Sequence, residues 1–166
     1  LADYCYQRMF EGCTSLKTAP ILPAENLARK CYSDMFDGCT SLVKAPALPA
    51  MVLTDYCYSS MFMNCTSLES APELPATKLA KYCYNYMFYG CEKLSSVTML
   101  APSDKIKNTS FSFNFWLDNA GTNDGITRKL IVLDEAAYNE LVNNEAYLPD
   151  IWKKDQCTVE YYTPKQ

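Results

Sequence analysis

Cys31 and Cys39 lie eight residues apart in "CYSDMFDGCTSL". The phrase returns with Cys5 and Cys13, Cys57 and Cys65, and Cys83 and Cys91, each time 26 residues on. Paired cysteines can hold a metal, close a disulfide or run redox chemistry. Structural zinc sites favour pairs two to four residues apart, and the chain contains no histidine to complete a ligand set. A C-x-x-C redox motif is also missing. On a helix, eight residues rise about 12 Å, against the roughly 4.4–6.8 Å between Cα atoms that a disulfide needs. Bonding within a pair would therefore require the chain to double back at Gly38. Bonds between neighbouring copies have better geometry, since sheet neighbours sit about 4.8 Å apart. Nine cysteines are an odd number, however, and a column of equivalents does not say which would pair. Free cysteine is among the most buried residue types and packs as a small hydrophobe. The cysteines read as two columns of buried thiols beside methionine and phenylalanine.

Other chemistry has still less support. Without histidine, Ser-His and Cys-His nucleophile systems are excluded. Asp3, Glu25, Asp37 and Glu69 stand at positions that vary between copies, as solvated surface charge does. No catalytic, cofactor-binding or metal-binding residue is assigned. Net charge is −4 with both signs interspersed, so nucleic acid is not an expected partner. No apolar run approaches the roughly 20 residues of a membrane span. Tyrosine is enriched at recognition interfaces, and Tyr4, Tyr56, Tyr82, Tyr86 and Tyr89 occupy variable positions. They read either as recognition residues or as tyrosines packing on the helical side.

The elements that position these residues are set by the repeat. Tyr6/Tyr32/Tyr58/Tyr84, Met9/Met35/Met61/Met87, Phe10/Phe36/Phe62/Phe88 and Leu16/Leu42/Leu68/Leu94 form strict columns, as do Leu1/Leu27/Leu53/Leu79 and Leu22/Leu48/Leu74/Leu100. Four copies in phase predict a solenoid. Leu27, Cys31 and Met35 fall at i, i+4 and i+8 with Ala28, Tyr32 and Phe36 one residue on, an apolar stripe of helical period. The predicted helices stop at Gly12, Gly38, Asn64 and Gly90, residue types that tolerate a left-handed C-cap. "TSLKTAP" then turns into a short extended segment with Leu16 and Ala19 facing in. Pro20/Pro46/Pro72 and Pro23/Pro49/Pro75 cannot donate to a ladder, which limits each strand to about three or four residues. A 26-residue unit cannot bury enough surface alone, so units must stack.

The pattern L-x-x-A-P-x-L-P-A-x-x-L-x-x-x-C-Y-x-x-M-F-x-G-C-T-S resembles the BspA-like class of leucine-rich repeats over residues 1–102. Alanine and proline stand where the commoner form of the class has isoleucine-rich strands. The fold expected is α/β, a leucine-rich-repeat solenoid of 26-residue units with short parallel strands on one face and short helices on the other. The resemblance implies a non-catalytic, secreted or cell-surface bacterial protein acting in adhesion or recognition, and names no ligand. That oxidising setting favours disulfides, against the buried-thiol reading. The first functional reading is a binding module that recognises a protein or glycan through its sheet face. A structural spacer or stalk is the alternative.

Residues 103–166 are expected to be a degenerate repeat and a capping segment. "SFSFNFWLDNAG" reads as a fifth helix-and-stop, with Trp116 and Leu117 replacing Met-Phe and Gly121 as terminator. "TRKLIVLD" reads as a strand, "EAAYNELVNNEAY" as a helix N-capped by Asp134 and ended by Pro149, and "CTVEYYTP" as a last strand alternating Cys157, Val159 and Tyr161. This β-α-β segment would cover the terminal rung. By alternation, Thr18, Lys44, Ser70 and Ser96 point outward along the sheet, with Lys17, Val43 and Glu69 beside them; these seven are the candidate ligand contacts. The chain opens in mid-repeat without an initiator Met or signal peptide, so the first repeat is expected to be truncated, and its exposed rung at Leu1 predicts end-to-end association.

Overall fold

The computed structural model describes residues 1–164. Consecutive 26-residue units lie side by side in register, joined on one side by parallel ladder pairs and on the other by a second set of backbone hydrogen bonds. Cys31, Met35, Phe36, Cys39 and Leu42 of the second unit are buried, as are their equivalents in the third and fourth.

The expected helices of the units are absent, and what replaces them explains the stacking. The segments around residues 3–12, 29–38, 55–64 and 81–90 are runs of tight turns. In each, every fourth residue has positive φ: Tyr4, Arg8 and Gly12, then Lys30, Asp34 and Gly38, then Tyr56, Ser60 and Asn64, then Tyr82, Tyr86 and Gly90. An α-helix spends all its interior N–H groups on itself. Here successive N–H groups alternate between a local acceptor and the next unit. Cys31 donates to the Ala28 carbonyl and Met35 to that of Tyr32, whereas Tyr32 donates to Cys57 O and Phe36 to Met61 O, the last at 2.9 Å. The Phe-to-Met bond recurs at 2.9 Å from Phe10 to Met35 and from Phe62 to Met87. Apolar pairs spaced by four mimic the 3.6-residue helical period over so short a stretch, and the backbone bonds to the neighbour decide for the turn.

The prolines act as expected. Thr18 pairs with Lys44, and Lys44 with Ser70, only as isolated bridges. Strand β1 (Ser70–Leu74) contains Pro72, and its register with β2 (Ser96–Met99) breaks between Ser70 and Glu73. In β2, where Thr98 stands in the proline column, pairing with β3 (Lys129–Val132) runs without a break from Ser96 to Met99. Strand β4 (Thr158–Tyr161) completes a parallel sheet in the order β1-β2-β3-β4.

Helix α1 (Ser103–Asn108), which the sequence pattern did not announce, lengthens the loop before the fifth turn segment and accounts for the lost phase. That segment keeps the rule: Phe111, Phe115 and Asn119 have positive φ, and Phe88 donates to Trp116 O at 2.9 Å. Trp116 and Leu117 do replace the Met-Phe pair in the core. The counterpart of Gly90 is Asn119 rather than Gly121, since Gly90 donates to Asp118 O just before it, although Gly121 also has positive φ. Helix α2 (Glu135–Val142) starts as expected, the Asp134 side chain accepting from Ala137 N at 2.8 Å. It ends well before Pro149, because the Asn144 side chain accepts from Ala146 N at 3.1 Å and turns the chain. The stretch after it seats on the fifth segment. Phe115 donates to Ala146 O, Trp116 Nε1 to Tyr147 O, Arg128 Nε to Ile151 O and Trp152 Nε1 to Ala120 O. Cys157, just before β4, and Val159 within it turn toward the core, but Tyr161 is exposed.

Candidate recognition surface

Two columns of aromatic rings run through the interior. Tyr32, Tyr58 and Tyr84 stack at 6.0 and 6.2 Å, and Phe10, Phe36, Phe62 and Phe88 at 5.5 to 5.7 Å. The thiols fill the space beside them. All nine cysteines are free, and Cys39, Cys65 and Cys91 donate S–H to the carbonyls of Phe10, Phe36 and Phe62 at 3.0 to 3.1 Å. Desolvation pushes the Cys39 thiol up to about 11 and Cys83 to about 12; Cys31, Cys57, Cys65 and Cys91 are raised by the same cause. A thiol held protonated and shielded is a poor nucleophile. These columns are structural, and Cys5 and Cys13 of the first unit are exposed.

The candidate contacts for a ligand therefore lie on the outside. Thr18, Lys44, Ser70 and Ser96 do form one ladder column across four units, and it continues through Lys129 and Thr158. Thr18 and Lys44 are exposed; Ser70 and Ser96 are half-buried. Lys17, Val43 and Glu69 are exposed one position earlier, where Val43 O accepts from Glu69 N and Glu69 O from both N and Oγ of Ser95. All seven expected contacts thus lie on the strand side, in two adjacent columns.

The strand side also carries residues that alternation from the first units did not reach. A depression of about 370 Å³ lies over Lys44, Ala47, Pro49, Ser70 and Glu73. A second, of about 540 Å³, lies over Glu73, Thr98, Ile131, Glu160 and Tyr161. Glu73 borders both. Glu73, Thr98, Ile131 and Glu160 occupy one row across the four strands, and Glu160 is held by Lys129 Nζ at 2.8 Å. The signal was present in the sequence: two residues beyond each ladder position, Thr98 follows Ser96 and Glu160 follows Thr158. Its use required the pairing of β2, β3 and β4, which the broken phase hides. The surface offers hydroxyls, two carboxylates, an ammonium and a tyrosine in a shallow array. That suits hydrogen bonding to a broad ligand.

The variable tyrosines line the turn side. Tyr56, Tyr82 and Phe111 stack at 4.7 and 5.0 Å, Tyr86 stacks on Phe115 at 5.2 Å, and Tyr89 meets Tyr86 edge-on. Tyr4 lies in the same column as Tyr56, with Lys30 between them.

Among the described residues, no helix is long and apolar enough to cross a membrane. Neither a curated protein nor a solved structure matches the chain. Residues 3–118 match the family described as "BspA type Leucine rich repeat region (6 copies)". Proteins of that family are typically surface-associated interaction modules and generally non-enzymatic. With more than half of its length in that match, and with the four-copy repeat seen in both sequence and structure, the chain belongs to the BspA-type leucine-rich repeat family.

Proposed function

We propose that this chain is a non-catalytic recognition module of an extracellular bacterial cell-surface protein, binding a protein or glycan across its strand side. In this reading, residues 1–102 are a solenoid of four leucine-rich repeats, and residues 103–166 form a degenerate repeat and a cap. The carrying observation is the continuous ladder column Thr18–Lys44–Ser70–Ser96, bordered by two depressions that meet at Glu73. A shallow polar terrace several strands wide suits an extended ligand. The first unit's outer flank, with Met9 57% and Ile21 88% exposed around a depression of about 360 Å³, is the surface through which end-to-end association would run.

Glycan and protein arrays probed with the chain test the proposal. A specific binder weakened at least tenfold by Lys44→Ala or Glu73→Ala, with unchanged circular dichroism, is the expected result. A spacer role is favoured by the uniform backbone bonding between units, which makes the stack a stiff rod. Arrays empty of binders, or binders indifferent to both substitutions, would select it.

A further inference from the structure

The turn side holds a second feature, independent of the strand-side reading. Its first positive-φ column reads Tyr4, Lys30, Tyr56 in the first three units. The Lys30 ammonium sits between the two rings, 5.7 and 5.0 Å from their centroids. A two-unit interval between side chains of this column thus accepts one cation. The second column reads Arg8, Asp34, Ser60, Tyr86, Phe115. Tyr86 covers one face with Phe115 at 5.2 Å, and Tyr89 stands edge-on beside it at 5.7 Å. Its other face looks along the column toward Ser60. Among the described residues, no ring and no cationic side chain lies over that face.

We propose that the interval above Ser60 is a docking slot for an arginine side chain of a basic peptide segment, held between the Asp34 carboxylate and the face of Tyr86. Where Lys30 fills the equivalent interval of the first column from within the chain, serine is too short to do so. Adjacent strands or turns repeat at about 4.8 Å, so Asp34 and Tyr86 stand roughly 10 Å apart, the interval Lys30 already bridges. Guanidinium is planar, stacks on an aromatic face and at the same time presents a fork to a carboxylate. Ser33 Oγ donates to Asp34 Oδ2 at 2.7 Å and Arg8 Nε lies 3.8 Å from the same oxygen, so the carboxylate's other oxygen is the one left for a ligand donor. Charge points the same way. Glu11, Asp34 and Asp37 lie near one another, and among the described residues Arg8, exposed and 3.7–3.8 Å from Glu11 and Asp34, is the counter-ion paired with them. An acidic ligand is repelled there, and a neutral donor gains a hydrogen bond to Asp34 without the charge that strengthens it.

The probe is a fluorescein-labelled peptide alternating arginine and glycine, compared with the same peptide carrying citrulline, which keeps the shape and loses the charge. Fluorescence polarisation at low salt should show the arginine peptide bound at least tenfold more tightly than the citrulline one. Ser60→Arg places the chain's own guanidinium in the slot and should weaken binding at least tenfold, with a urea midpoint no lower than the parent's. Tyr86→Ser should also weaken binding at least tenfold, with unchanged circular dichroism, and Lys44→Ala, on the strand side, should leave binding within twofold. Absence of binding at 1 mM peptide, equal binding of the citrulline peptide, or binding by Ser60→Arg within twofold of the parent each overturns the proposal. None of these outcomes bears on the strand-side ligand.

Discussion

Alkylation of the nine thiols by iodoacetamide at pH 8 separates the interior of the stack from its first unit. Cys5 and Cys13 are exposed, whereas Cys39, Cys65 and Cys91 are 0% exposed. Two routes to the thiolate compete, and they do not multiply. In the closed fold burial lifts the Cys39 thiol from 9.0 to about 11, so at pH 8 its thiolate fraction is about one in a thousand instead of about one in ten, and the reagent cannot reach it. Once its unit opens, the thiol is solvated and the lift is gone. An opening free energy of about 3 kcal/mol, low for an interior segment, then slows the reaction roughly a hundredfold. Cys39 should therefore react about a hundredfold more slowly than Cys13 through opening. Cys65 and Cys91 have further units on the Cys13 side and should be slower still. Timed quenching followed by peptide mass spectrometry reads all nine rates at once. Cys65 or Cys91 reacting within tenfold of Cys13 would refute the argument that stacked units shield the thiols.

Alkaline pH should destabilise the fold. The folded chain holds Cys39 near 11 and Cys83 and Tyr32 near 12, above their ordinary values of 9.0 and 10.0. The unfolded chain therefore releases these protons first, and the contribution, complete below pH 9, is lost as pH climbs toward 11–12, by up to about 1.4 kcal/mol per pH unit for each group; a urea midpoint unchanged between pH 7 and 10.5 contradicts this. Gly12→Ala adds a Cβ that meets nothing within 4 Å at φ +70, so it should cost about 1–2 kcal/mol for the left-handed backbone alone. Gly121→Ala at φ +66 drives its Cβ to 2.6 Å from the Leu94 carbonyl oxygen, a backbone atom that cannot swing aside, and should cost about 3 kcal/mol or more by urea denaturation. Phe62→Ala removes a fully buried ring stacked on Phe36 at 5.5 Å and Phe88 at 5.7 Å and should cost about 3–5 kcal/mol, with hydrogen exchange rising first in the units before it.

Much of this was legible in the residues, and the failures have a common cause. Columns of Tyr, Met, Phe and Leu fixed the unit length and the core because burial depends on side-chain type and spacing. Proline marked the weak strands because it lacks a donor wherever it stands, and Asp134 marked a helix start because its carboxylate serves a local N–H. The turn segments were misread because their decisive bonds are to another unit. Leu27/Ala28, Cys31/Tyr32 and Met35/Phe36 recur every four residues, whereas on a 3.6-residue helix positions i and i+8 drift about 80° apart. The strictness of that spacing was the available clue. Glycine and asparagine in the third column also announced positive φ, but Arg8, Lys30, Tyr82 and Tyr86 in the other two did not, since large side chains rarely sit there. The strand-side row Glu73–Thr98–Ile131–Glu160 stayed hidden because α1 shifts the phase before β3 is reached.

The alternating use of N–H groups also explains where this chain is free to vary. An N–H bonded to the next unit carries no demand on the side chain of its own residue, so a positive-φ position must satisfy only the backbone cost and its column neighbours. Glycine and asparagine meet that cost outright in the third column. In the first two columns bulky residues bear about 1–2 kcal/mol each, and stacking recovers a comparable amount, since a ring pair contributes about 0.5–1.5 kcal/mol. Tyr82 recovers it on both faces, from Tyr56 and Phe111. Tyr86 recovers it on one face alone, from Phe115. A ring that keeps a strained backbone with half its surface uncovered is under-compensated by the fold itself, and the missing half is what a ligand with a flat cation would supply. If Ser60→Tyr, which extends the stack over that face, raises the urea midpoint while Ser60→Ala does not, the deficit is real and lies at Tyr86.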